Sequence, residues 1–126
     1  MATTRTVRDL PRYVATLIAP ADVARAALID GLPVLLAVRP ADGKGEAETY
    51  SIRLIEGGWE VCKLHRQTME PVKTYHVDDS WGPTPPDWDC NCPSCVYDRP
   101  HHKARWIGCK HCRLVAAVYA RLNGGR

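Results

Sequence analysis

Between positions 90 and 112 the chain carries five of its six cysteines, with His111 set between the last two of them. Cys90-Asn91-Cys92-Pro93-Ser94-Cys95 is answered downstream by Cys109-Lys110-His111-Cys112. Thiolate sulfur and imidazole nitrogen are ligands that Zn2+ favours, and pairs one or two residues apart let local backbone set half of a tetrahedron. Two ligand sets follow from the spacing. Cys90, Cys92, Cys109 and His111 make C-x-C…C-x-H, whereas Cys92, Cys95, Cys109 and Cys112 make C-x-x-C…C-x-x-C. Either set fills all four positions with protein and leaves none for water. No glutamate stands beside a ligand to act as general base, so the expected role of the zinc is structural, not catalytic. A glycine-rich phosphate loop, a nucleophile elbow and a paired-carboxylate motif are all missing, and the chain is read as a non-enzyme with no catalytic residues.

Those ligands need elements to hold them. On a strand, C-x-C puts Cys90 and Cys92 on one face, with Trp88 on that face as a shield. After Cys109 the apolar residues Leu114 or Val115, Val118, Tyr119 and Leu122 recur at helical steps, and Asn123-Gly124-Gly125 ends the pattern. Cys109 therefore sits at a helix entrance and His111 in its first turn, where free N–H groups favour a thiolate. Upstream, Leu10, Val14, Leu17 and Ile18 predict a short helix starting at Pro11, and the alanine-rich stretch 21–30 predicts a second, stopped by Gly31. The apolar run 33–39 predicts a strand buried on both faces. Alternation around Tyr50, Ile52 and Leu54, then Glu56-Gly57-Gly58 and 59–66, predicts a hairpin, and 71–77 another strand. The expected class is α+β: N-terminal helices, an antiparallel β-sheet, then a ββα-like zinc-binding module ending in a C-terminal helix. Residues 1–80 form the support region and 81–126 the module, within one compact unit.

Cys90-x-Cys92 with Cys109-x-His111 resembles the SWIM-type zinc finger, whose pattern is C-x-C, a variable loop, then C-x-H. Trp88-x-Cys90-x-Cys92-Pro93, the Cys109-Lys110-His111 step into an alanine-containing helix, and the Tyr75-His76-Val77 strand are similar too. The resemblance covers roughly residues 74–120 and implies zinc on Cys90, Cys92, Cys109 and His111, with a binding role toward DNA or protein. SWIM fingers occur beside helicase-like ATPases and in transposase-related proteins, and no such partner domain lies within these residues. Cys95 and Cys112 exceed the family pattern and remain alternative ligands, as in a four-cysteine zinc ribbon. Two features favour the SWIM set: C-x-C followed by proline, and a second pair that runs into a helix where a ribbon would turn in a hairpin.

The net charge of +3 hides a segregation. From Cys90 onward there are seven bases and one acid, whereas 20–89 holds seven bases and twelve acids. A basic, cysteine-rich end suggests a nucleic acid or an acidic protein surface as partner. Arg99, Lys103, Arg105, Trp106, Lys110 and Arg113 are the candidate contacts, joining phosphate neutralisation to stacking. No apolar run is long enough to span a bilayer and the N-terminus has no signal-like stretch, so no membrane partner and a cytoplasmic, reducing location are expected, where clustered cysteines bind metal more often than they pair. A secreted three-disulfide framework, a C-x-x-C redox enzyme using Cys109 and Cys112, and a scaffold protein are the competing readings. Cys62 is expected in the core, His65 and His76 as structural or exposed, and His101 and His102 as exposed.

Overall fold

The computed structural model describes residues 6–7, 13–101 and 106–124. Among these, seven strands form one antiparallel sheet in chain order: β1 (Thr6–Val7), β2 (Tyr13–Leu17), β3 (Val34–Pro40), β4 (Glu48–Ile55), β5 (Gly58–Leu64), β6 (Pro71–Asp78) and β7 (Asp89–Cys90). Helix α1 (Ala21–Ile29) links β2 to β3. A π-helical turn, Ser94–Asp98, runs into the single turn α2 (Arg99–His101), and α3 (Lys110–Tyr119) continues as a π turn through Gly124. Sheet plus helices is the mixed architecture expected of an α+β chain.

The predicted helix beginning at Pro11 is corrected: Tyr13–Leu17 is strand β2, pairing in register with β3 from Tyr13↔Pro40 to Leu17↔Leu36. Of the apolar residues that suggested the helix, Leu17 is buried and Ile18 exposed, so the helical steps do not mark the core face. Ala15 and Leu17 are fully buried while Val14 and Thr16 are half-buried, a period of two. Pro20 leaves too few residues for a helix to repay its nucleation, and Val14 and Thr16 are β-branched. Leu10 and Pro11 lie outside the described residues. The alanine-rich helix is present, closed by Gly31 N–H to the Leu28 carbonyl and Leu32 N–H to the Ala27 carbonyl. The prediction that 33–39 is buried on both faces is also corrected: Val34, Leu36 and Val38 are buried, whereas Leu35 and Ala37 are half-buried. Helices cover one face of an antiparallel sheet here, so the other stays partly solvated.

Cross-strand partners share a face, and the register carries one apolar face across the sheet to the cysteines. Val34 stands opposite Ile52, Ile52 opposite Val61 and Val61 opposite Tyr75. In the next row Trp59 stands opposite Val77 and Val77 opposite Cys90. The β4–β5 turn can sit tightly against β6 because residue 58 is glycine: φ is 145°, and a Cβ there would lie 2.1 Å from the Val77 carbonyl oxygen. Helix α3 packs on β5, β6 and β7 and buries Leu114, Val115 and Val118. One buried cluster runs from Ala15 to Leu122 and includes Cys90, Cys92, Cys95, Cys109 and Cys112. Within 81–126 the described residues hold one strand, β7, and it pairs with β6 of the preceding region, so the separate ββα arrangement expected for the module is not what positions the site. No helix among the described residues is long and apolar enough to cross a membrane.

Candidate metal centre

The C-x-C segment alternates as its spacing predicts. Trp88, Cys90 and Cys92 are buried while Asp89 and Asn91 are exposed. Pairing of Val77 with Cys90 aims the Cys90 thiol at the core, and the Asn91 carboxamide oxygen accepts the His76 N–H at 2.9 Å, tying the segment to β6. Trp88 is fixed by its indole N–H donating to the Gly82 carbonyl at 2.7 Å.

The second half is built by the start of α3. Gly108 has φ 95°, and a Cβ there would sit 2.8 Å from the Pro85 side chain, so glycine is required at the step before Cys109. Cys109 is the N-cap: its sulfur accepts the Cys112 N–H at 3.4 Å. The cap position lends the helix's positive end to a thiolate. His111 and Cys112 follow in the first turn, both buried.

Cys90, Cys92, Cys109 and His111 bring their ligand atoms within 4.8 Å of one another, and all four residues are buried. The His111 Nδ1 lies 3.8 Å from the Cys90 sulfur and 3.9 Å from the Cys109 sulfur. In a tetrahedral site with Zn–S near 2.3 Å and Zn–N near 2.0 Å, sulfur and nitrogen stand about 3.6 Å apart. The donors are thus set close to the edges such a polyhedron needs, and the cluster could hold a metal ion. A second group, Cys95, Cys109 and Cys112, meets the same 4.8 Å reach; it shares Cys109 and does not include Cys92.

Aromatic rings and charge set the character of the imidazole. Tyr75 stacks on it at 4.0 Å and 22°, and Tyr50 tilts against it at 6.1 Å. Burial, with the Lys110 charge beside it, pushes His111 down to about 4, so the imidazole is neutral at physiological pH and free to offer a lone pair. Crowding splits the thiols. Hydrogen bonds led by Cys109 lower Cys92 and Cys95, and those led by Cys109 raise Cys90 and Cys112. Burial raises the Tyr50 hydroxyl against the opposing pull of Lys110.

The candidate nucleic-acid contacts fall into less open settings than their charges suggest. Lys110 donates to Glu48 Oε1 at 2.8 Å and lies over the rings of Tyr13 and Tyr50 at 4.4 and 5.0 Å. Burial opposes its charge, but Glu48 and Tyr50 outweigh that and hold the ammonium above its ordinary range. Arg99 donates to the Asp89 carboxylate at 2.6 Å and the Trp88 carbonyl at 3.2 Å. Arg113 Nε donates to the Gly108 carbonyl at 3.1 Å. Trp106 Nε1 and Arg113 Nη1 are buried without a hydrogen-bond partner among the described residues. Lys103 and Arg105 lie outside the described residues, as do His102 and the side chain of His101. Cys62 is buried beside Thr74 and Glu60, and His65 and His76 are exposed.

Sequence reasoning missed three contributors. Glu48 and Tyr13 reach Lys110 from far along the chain, and no local pattern signals that. The stacking of Tyr75 was legible in part, since it lies two residues before Val77 on a strand whose inward face is set by period two. A scan of the chain against family models finds no match, and searches among curated proteins and solved structures find no significant similarity.

Proposed function

We propose that the chain is a small SWIM-type zinc module in which one structural Zn2+ is held by Cys90, Cys92, Cys109 and His111, and that it serves as a binding module, not an enzyme. The observation that carries this reading is the mutual 4.8 Å reach of four buried donors, with the imidazole Nδ1 turned toward two sulfurs. Zinc suits three thiolates and one neutral imidazole, and four protein ligands leave no position for chemistry. Such a role needs a reducing compartment, as the cytoplasm is, to keep the thiols available. The four-cysteine alternative draws support from the Cys112 N–H bonded to the Cys109 sulfur, the contact a zinc knuckle makes. Against it stands the grouping of Cys95 and Cys112 with Cys109 but without Cys92.

The test is zinc-dependent stabilisation of point variants. Added Zn2+ should still raise the melting temperature of Cys95→Ser and Cys112→Ser, and fail to do so for Cys90→Ser and His111→Ala. The reverse pattern would establish the four-cysteine set.

The partner proposed is an anionic one, a nucleic acid or an acidic protein surface. Its basis is the concentration of bases after Cys90, with Arg99, Lys103, Arg105, Trp106, Lys110 and Arg113 as the candidate surface. Affinity for a labelled oligonucleotide should fall steeply between low and moderate salt, as counterion release demands. Affinity that does not change with salt would remove the electrostatic reading.

A further inference from the structure

We propose that the cysteine cluster holds a second thiophilic metal ion, bound by Cys95 and Cys112 and joined to the first through a bridging Cys109 sulfur. The inference rests on the first site being a zinc site and adds to it. Its starting point is that two residues beyond the SWIM pattern are not scattered. Their sulfurs converge with Cys109 to within 4.8 Å, and all three side chains are buried, Cys112 and Cys109 at 0% and 2% exposure and Cys95 at 7%.

Cys109 is the one residue common to both groups of donors. A thiolate sulfur has lone pairs enough for two ions, which an imidazole nitrogen does not. With that sulfur shared, the first ion keeps four protein ligands and the second has three, its remaining position taken by water. Two elements supply the new ligands. Cys95 comes from the π-helical turn after Pro93, and Cys112 from the first turn of α3, whose N-terminal polarity favours thiolates at both Cys109 and Cys112. Binding of Zn2+ there displaces the thiol protons of Cys95 and Cys112. The incoming dication balances the two new thiolates, so the centre's net charge does not change. The sixth cysteine takes no part: Cys62 faces Thr74 and Glu60 on the sheet.

The experiment counts ions. Metal-free full-length protein is titrated with Zn2+ under a non-chelating reductant, and native mass spectrometry reads the stoichiometry. Two ions per chain are expected in the parent and one in the Cys95→Ala/Cys112→Ala double variant, which should retain zinc-dependent melting. One ion in the parent would overturn the second site and leave the first to the variant melting test above, whereas none would overturn both. Two ions in the double variant would overturn the ligand assignment. Should that variant fail to fold, Co2+ decides in the parent. The paramagnetic signal should rise through the first equivalent and fall through the second, as thiolate-bridged ions couple. A signal proportional to cobalt through both equivalents would overturn the bridge.

Discussion

His111 concentrates the constraints at the scale of single residues. Its ring is stacked on Tyr75, its Nδ1 faces two sulfurs, and burial with Lys110 pushes it down to about 4. The sign of the resulting pH dependence follows from linkage. An unfolded chain takes up this proton near pH 6.5, and the folded imidazole resists until about 4. For the imidazole without a bound ion, the contribution is therefore present above pH 6.5 and lost as the pH falls between those values. With zinc bound, protons compete with the ion for His111 and the thiolates, so the melting temperature of the loaded parent should drop as the pH falls through that window, and that of His111→Gln should drop less. Tyr75 offers a second check. Tyr75→Phe keeps the stacked ring and should be near neutral, whereas Tyr75→Ala should cost at least the roughly 0.5–1.5 kcal/mol of an aromatic pair, measured by denaturant unfolding. The cysteine pairs and their chemistry were legible from spacing alone. That Lys110 answers to Glu48 was not, because such a contact is made by chain topology and leaves no local trace.

At the scale of elements, the site depends on two backbone steps. Gly108 places Cys109 at the N-cap of α3 with a positive φ and Pro85 against it, so Gly108→Ala combines strain with a clash. A loss of about 1–3 kcal/mol is expected, with weakened zinc binding measured by chelator competition. Gly58 allows β6 to lie against the β4–β5 turn, and Gly58→Ala would set a methyl 2.1 Å from the Val77 carbonyl oxygen. That substitution should destabilise the sheet by a similar or larger amount, and Val77 transmits it to Cys90 through their pairing. Helix α1, the β4–β5 hairpin and α3 were readable because each has enough length or a glycine punctuation to decide its period. The stretch after Pro11 was misread as helix since Val14, Leu17 and Ile18 fall at helical steps by coincidence, and pairing with β3 selects strand β2.

At the scale of the whole molecule, sheet and cysteines share one buried cluster, with Trp59, Val61 and Val77 beside Leu114, Val115 and Val118. Zinc binding to such sites is worth on the order of 10 kcal/mol, comparable with the stability of an entire domain. Chelation is therefore expected to cost residues 81–126 their order and to lower the melting of the sheet that packs on α3. Far-UV circular dichroism and a thermal melt before and after chelation measure this, and unchanged curves would refute it.

Residue type and short spacing by themselves determined that this is a cysteine–histidine chain suited to zinc, with C-x-C on an alternating segment and Cys109 at a helix start. These are local properties, set by backbone period and ligand chemistry. Tertiary structure decided the rest. The β6–β7 pairing turned Cys90 inward, packing of α3 on β5–β7 brought His111 under Tyr75, and the same packing carried Cys95 and Cys112 to Cys109 as a second group of sulfurs. Spacing permits several ligand sets, but only the folded chain fixes which sulfurs stand within reach of one another, because distance in space is set by sheet register and helix packing.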